Sequence, residues 1–134
     1  MATKTLNTIR CCAEFLPAAD VLKVPHRIRG IYTLLQQPRN NPKVYNVIYI
    51  GMSRTGVRTR LRAHKRTKKG KWTHFSIYSV CSHISNDQIT ELEGILRAIF
   101  RRDSRANKIA IAKGFKKLKV LKDNTFSKEK WLLE

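Results

Sequence analysis

Acidic residues are scarce in this chain, and one long stretch has none. Nine Asp and Glu stand against 28 Lys and Arg in 134 residues, which gives a formal net charge of +19. Between Val21 and Asn86 there are 14 Lys or Arg and no acid. Such one-sided charge opposes a compact fold through self-repulsion. We therefore expect a polyanionic partner, and nucleic acid in particular.

Three other features are missing. No apolar run approaches the ~20 residues of a membrane-spanning helix, so no membrane partner is expected. The first residues lack the basic head, apolar stretch and small-residue cleavage site of a secretory signal. Cys11, Cys12 and Cys81 form no C-x-x-C pair, which favours reduced thiols over a zinc site. Together these absences predict a cytoplasmic, nucleoid-associated protein.

The pattern of apolar residues predicts alternating helices and strands. Leu6, Ile9, Ala13 and Leu16 recur at helical spacing, which predicts a first helix over residues 5–16. The later elements are strands at 28–35 and 44–52, a basic helix at 57–68, a strand at 75–81 and a helix from about 85 to 102. The last helix begins with the capping-box pair Ser85 and Gln88.

This order predicts an α+β fold with a small, mainly antiparallel three-stranded sheet flanked by helices. We divide the chain into an N-terminal helical extension (1–28), a core (29–108) and a basic C-terminal segment (109–134) packed on the core. The pattern beyond Asn107 is ambiguous between helix and strand, and Trp131 is expected to anchor the end of the chain.

The basic helix carries two polar residues on its apolar side. At 3.6 residues per turn, Val57, Leu61 and His64 share one face, and Arg60 lies beside them one turn before His64. The other cations of this region point outward and are candidates for phosphate contacts. They are Arg54, Arg58, Arg62, Lys65, Arg66, Lys68, Lys69 and Lys71.

Two tripeptides carry a resemblance to a known family. Gly30-Ile31-Tyr32 and Tyr49-Ile50-Gly51 lie on successive predicted strands. They are followed in order by Arg60, His64, a Glu-Leu-Glu segment at 91–93 and Asn107. Over residues 29–108 the chain resembles the GIY-YIG nuclease superfamily. The resemblance implies an endonuclease that hydrolyses DNA, duplex or branched, in repair, recombination or restriction.

The resemblance also implies roles for individual residues. Arg60 would bind the scissile phosphate. Tyr32 would act as general base, and the metal or His64 would help to remove its proton. Tyr49 would orient the nucleophile or the phosphate, and Asn107 would position backbone or substrate. The sequence leaves open which of the two phenols is the base.

One divalent ion suits the few carboxylates available. The acids of the matched region are Asp87, Glu91, Glu93 and Asp103, and they offer no D-x-D pair for two metal ions. A single Mg²⁺ or Mn²⁺ with one glutamate and several waters is expected, as the resemblance also implies. Glu93 lies roughly 80° from the centre of the apolar stripe and Glu91 roughly 120°. Glu93 is therefore the predicted metal ligand.

Other functions remain open at this point. The fold could be a catalytically silent module that only binds nucleic acid, or a basic RNA-binding protein. Either would account for the charge, but the RNA-binding reading leaves the order of the tyrosine, arginine, histidine and glutamate positions without a reason. A protein partner or an oligomer could supply specificity, because this chain has little room for a second domain.

Overall fold

The computed structural model describes residues 8–102, 108–110 and 121–131. A 3-10 helix at Ala18–Lys23 joins the first two strands. The strands are β1 (Ile9–Pro17), β2 (Gly30–Gln36), β3 (Val44–Ser53), β4 (His74–Val80), β5 (Lys108–Ala110) and β6 (Leu121–Lys122). The helices are α1 (Val57–Thr67), α2 (Asn86–Arg102) and α3 (Lys128–Trp131).

All six strands of the described ranges belong to one sheet, in the order β5-β3-β2-β4-β1-β6. Every neighbouring pair is antiparallel except β1 and β6. The predicted fold class, α+β with a mainly antiparallel sheet and flanking helices, is confirmed. The predicted number of three strands is wrong, because β1, β5 and β6 extend the sheet on both sides.

The N-terminal helix predicted over residues 5–16 is wrong, since residues 9–17 form β1 and pair with β4. The pairing register shifts between Ile9 and Cys11 and again between Ala13 and Leu16. Such bulges interrupt the two-residue alternation of a strand. The interrupted alternation spaced the apolar residues three and four apart, which imitates a helix. Phe15 lies at the second irregularity with a φ of 58°.

Two apolar clusters cover the two faces of the sheet. Successive residues of a strand point to opposite faces, and the neighbours Ile31 and Tyr32 of β2 belong to different clusters. Tyr32 packs with Val57 and Leu61 of α1. Ile31 belongs to the other cluster, together with Ile89 in the first turn of α2. The basic helix and the helix that carries Glu93 therefore pack on opposite faces of the central strands.

Local hydrogen bonds define where both long helices begin. The Ser53 hydroxyl accepts the backbone amide of Gly56 at 2.7 Å, just before α1. Before α2, the Gln88 side chain accepts the Ser85 amide at 2.8 Å, and the Ser85 hydroxyl accepts the Gln88 amide at 3.1 Å. The predicted capping box is confirmed.

The C-terminal residues of the described chain pack into the core. Trp131 is 2% exposed, and its indole nitrogen donates to the Asp123 carbonyl at 3.2 Å. Its own carbonyl accepts Nη1 of Arg10 at 2.6 Å. Trp131 is thus the anchor that the sequence predicted. Among the helices of the described ranges, none is both long and apolar enough to cross a membrane.

Two glycines allow strands and side chains to approach closely. A Cβ on Gly30 would collide with the Tyr78 carbonyl oxygen of β4. A Cβ on Gly51, which faces Tyr32 in the β2–β3 register, would lie 2.5 Å from the Tyr32 hydroxyl and 2.8 Å from the Tyr49 ring. Only a residue without a side chain lets the buried Tyr32 phenol lie over β3.

We expect Gly51→Ala to lower the free energy of unfolding by about 1–3 kcal/mol, because the added methyl group overpacks a rigid, buried ring. The matched control is Gly94→Ala. Gly94 lies in α2 with nothing within 4 Å of an added Cβ, so alanine there should raise stability by about 1 kcal/mol. Urea denaturation of both variants measures the difference. Equal shifts would show that Gly51 is not needed for the position of Tyr32.

Candidate active site

The centre of the candidate site is a hydrogen bond between β2 and α1. The Tyr32 hydroxyl lies 2.8 Å from Nε2 of His64. The Tyr32 side chain is fully buried, whereas His64 is half-buried. Nδ1 of His64 is enclosed and has no hydrogen-bond partner in the described part of the chain. The imidazole is therefore oriented mainly by Tyr32 and by ring packing.

Tyr49 completes an aromatic group around this bond. Its ring centroid lies 4.8 Å from that of His64 and 6.2 Å from that of Tyr32. Two cations approach the same ring: Lys68 Nζ at 5.2 Å and Arg97 Cζ at 5.0 Å from the centroid. Both distances suit cation–π attraction. The phenol ring thus lies where side chains of α1 and α2 converge.

The environment sets the protonation of the central pair. Burial raises the pKa of Tyr32 to about 12, the nearby Tyr49 adds to the rise, and the charge of Arg60 opposes it. Burial lowers the pKa of His64 below its usual 6.5, and the positive charges of Lys68 and Arg60 lower it further. At neutral pH the phenol is protonated and the imidazole is neutral. A hydroxyl therefore faces a ring nitrogen that can accept its proton.

The predicted arginine and glutamate also lie near this pair. Both Arg60 and Glu93 act electrostatically on Tyr32. Arg60 is exposed, so its guanidinium is accessible to a ligand. The Glu93 side chain is 17% exposed, whereas Glu91 is exposed to solvent. This difference agrees with the helix rotation inferred from the apolar stripe of α2.

Arg97 is a member of the site that the sequence reasoning did not identify. Its Nη1 lies 3.8 Å from Oε1 of Glu93, one helical turn earlier, and its guanidinium covers Tyr49. The i, i+4 spacing suggests the ion pair, but it contains no sign of the contact with Tyr49. The sequence also did not indicate the role of Gly51. Its lack of a side chain leaves room for both tyrosines.

A divalent ion fits this site only as a sparsely ligated one. In the described ranges no group of three or more His, Cys, Asp or Glu is placed to hold a metal. Glu93 is the one carboxylate beside the tyrosines that the structure describes. Mg²⁺ retains several waters and often takes one or two carboxylates together with substrate phosphates. The donor set present is therefore compatible with one hydrated ion at Glu93.

The basic residues predicted to contact phosphate occupy different surroundings. Most are exposed along or after α1, namely Arg62, Lys65, Arg66, Lys69 and Lys71. Arg54 donates to the Thr90 hydroxyl at 2.8 Å, and Lys68 covers Tyr49. Arg58 lies beside His26 on the other flank of α1. Asn107, the last predicted site residue, falls outside the described residues.

Comparison with known proteins identifies one family. The model of the T5orf172 domain family matches residues 29–126. Searches of curated proteins and of solved structures found no match. The GIY-YIG assignment, made from the two tripeptides and the later Arg60, His64, Glu-Leu-Glu and Asn107 positions, is therefore wrong, because the match is to a different family. Close packing accounts for both glycines of the tripeptides, since Gly30 lies against the β4 backbone and Gly51 against the Tyr32 and Tyr49 rings.

The family match covers well over half of the chain. The family is linked to nuclease-like or DNA-binding functions, which fits the one-sided charge and gives the protein a nucleic-acid-related role. The chain belongs to the T5orf172 domain family.

Proposed function

We propose that this protein is a DNA endonuclease that hydrolyses phosphodiester bonds at the Tyr32–His64 centre with the help of one divalent metal ion. The observation that carries the proposal is the 2.8 Å hydrogen bond between a buried phenol and a neutral imidazole. An arginine, a glutamate and a second tyrosine surround it. The same groups lie next to the exposed cations of α1, which would bring the DNA backbone close to the pair.

The pair can take a proton from an attacking water. With a pKa of about 12, Tyr32 does not ionise at neutral pH and is a poor base alone. It can accept a water proton while passing its own proton to Nε2 of His64. The oxygen of the water then forms its bond to phosphorus while the bond from phosphorus to the leaving sugar oxygen breaks, and that oxygen takes a proton from solvent. His64 is available for this step because its lowered pKa keeps it neutral.

Arg60 is placed to hold the phosphate beside the same pair. Its guanidinium is exposed, planar and able to donate two parallel hydrogen bonds to phosphate oxygens. Its charge, together with that of Lys68, makes protonation of His64 unfavourable in the free protein. A bound phosphate offsets these charges and thereby raises the proton affinity of His64. Substrate binding and proton acceptance are coupled in this way.

Glu93 is the residue that would hold the divalent ion. The ion, when bound, would neutralise charge that develops on the phosphate and on the leaving oxygen. Arg97 would give up its contact with Glu93 when the ion binds, and Tyr49 would keep Arg97 nearby through its ring.

A plasmid-nicking assay tests the proposal and the choice of glutamate together. The parent should nick supercoiled DNA with Mg²⁺, and Glu93→Gln should abolish nicking while DNA affinity is kept or increased, because a negative charge near phosphate is lost. The control Glu91→Gln should cleave within severalfold of the parent. A parent that binds but never nicks would indicate a silent module, and preferential protection of RNA would indicate an RNA-binding protein.

Arg60→Lys should bind DNA almost as the parent does and cleave at least about tenfold more slowly, because lysine keeps the charge but loses the planar fork. The matched control is Arg62→Lys, which also keeps the positive charge but lies at an exposed position of the same helix. It should change neither property. Single-turnover cleavage and anisotropy binding separate the two readouts. Mild and equal effects at both positions would make Arg60 an ordinary surface cation.

The pH dependence of cleavage should report His64. Because burial and two cations lower the pKa of His64 below 6.5, its acceptor form is lost only under acidic conditions. The rate constant should rise with pH to a plateau reached by about neutral pH. If Tyr32 alone were the base, with a pKa of about 12, the rate would keep rising about tenfold per pH unit through pH 9. Single-turnover rates from pH 5 to 9, measured with the protein well below its Kd for DNA so that they report the free protein, distinguish the two cases.

A further inference from the structure

A second basic feature lies apart from the Tyr32–His64 centre. It is a cleft of about 740 Å³ bordered by the segment 23–29, by β1, by the end of β4, by α1 and by the C-terminal residues. Six cations from these segments line it: Arg10, Lys23, Arg27, Arg29, Arg58 and Lys128. None of its lining residues that the structure describes is acidic, and none belongs to the candidate active site.

Helix α1 separates the two sites. Arg58 and Arg60 are two residues apart, so their side chains leave the helix axis about 160° from one another. Arg60 approaches Tyr32, whereas Arg58 lines the cleft, with Nη1 3.0 Å from Nε2 of His26. Nε of Arg58 is buried and lacks a partner among the described residues. The basic helix thus presents arginine to two different places.

Two cations of the cleft, Lys23 and Arg29, differ in the partners that the structure describes for them. Lys23 lies 3.4 Å from the Asp20 carboxylate. Arg29 donates to the Ile84 carbonyl at 2.6 Å and to the Asn86 side chain at 3.1 Å, which hold it without neutralising it. Gathering cations around a cavity is costly unless an anion enters it. The lining therefore matches a ligand with several phosphate groups.

Arg27 lies in a strained turn at the edge of the cleft. Its φ is 64°, a left-handed conformation that glycine or asparagine adopts more easily than arginine does. The neighbouring backbone fixes this turn, because the Ile28 carbonyl accepts the Val57 amide at 2.9 Å. Glycine would relieve this strain, so the exposed Arg27 side chain can be removed without a backbone penalty.

We propose that this cleft is a second nucleic-acid backbone site, which holds phosphates of duplex DNA on the flank of α1 opposite the Tyr32–His64 centre. The inference rests on the proposed function only for the identity of the polymer. It requires no cleavage, so it can be tested with no metal present. Binding that depends on the cleft would stand even if the protein never cut DNA.

The test variant is Arg27→Gly, which removes the cation and relieves the left-handed backbone. Its midpoint of thermal unfolding should be no lower than that of the parent, so lost binding cannot be ascribed to unfolding. Affinity for a 30-bp duplex without metal should fall about fivefold, as for one lost charge-assisted contact. The slope of log Kd against log salt should shrink by roughly 0.9, the value for one phosphate.

The matched control is Arg39→Gly, which removes the same charge from an exposed loop outside the cleft. Its affinity should stay within twofold of the parent. Equal losses in the two variants would show that only net charge matters and would overturn the proposal. An affinity unchanged by Arg27→Gly would overturn it as well.

A second measurement identifies the source of the phosphate. Backbone amide NMR shifts of residues 23–29 are followed while the parent is titrated with the duplex or with inorganic phosphate. The duplex should shift these amides at micromolar concentration, and inorganic phosphate only at millimolar concentration. Shifts produced by micromolar inorganic phosphate but not by the duplex would identify a small-anion site and would contradict the proposal.

Discussion

The hydrogen bond between Tyr32 and His64 is the contact around which the rest of the site is arranged. It joins the central strand of the sheet to α1 across 2.8 Å. A buried phenol needs a partner for its hydroxyl, and His64 provides it, which sets the rotation of the helix on the sheet. The phenol fits only because Gly51 has no side chain on the adjacent strand. Once this bond is formed, Arg60 is held beside the same phenol.

The sequence predicted the middle of the chain better than its start. The elements from β2 to α2 begin and end within two residues of their predicted bounds, because their apolar and β-branched content marks them even where the β2–β3 register shifts between Leu34 and Leu35. The strand β1 was mistaken for a helix because bulges shift its pairing on both sides of Ala13. Counting along α1 aligned Arg60 with His64 correctly, but Arg97 reaches Tyr49 through a tertiary contact that no local pattern contains. The family was misassigned although the motif elements stood in the expected order, and close packing by itself accounts for the two glycines of the tripeptides.

Charge is distributed so that one helix can serve two sites. The buried side of α1, with Val57 and Leu61, anchors it to the sheet. Its two flanks carry Arg60 toward the phenol pair and Arg58 toward the cleft of segment 23–29. Both arginines lie in the acid-free stretch between Val21 and Asn86. No carboxylate close to them in sequence therefore neutralises their charge. The scarcity of acid therefore keeps both flanks available to phosphate.

The few acids that approach this basic surface differ in how readily they can change partners. Glu14 accepts a hydrogen bond from the hydroxyl of the partly buried Tyr78 at 2.8 Å, and Asp123 is 6% exposed within its own turn. Releasing either would leave buried donors unpaired, at a cost of about 1–3 kcal/mol each. Among the described residues, Arg97 alone pairs with Glu93, through a contact of 3.8 Å between partly exposed side chains. Such i, i+4 pairs contribute only about 0.5 kcal/mol. Of these three acids, Glu93 alone would lose little by giving up its partner, and it is the one that lies beside Tyr32, which supports the proposal that a divalent ion would bind there.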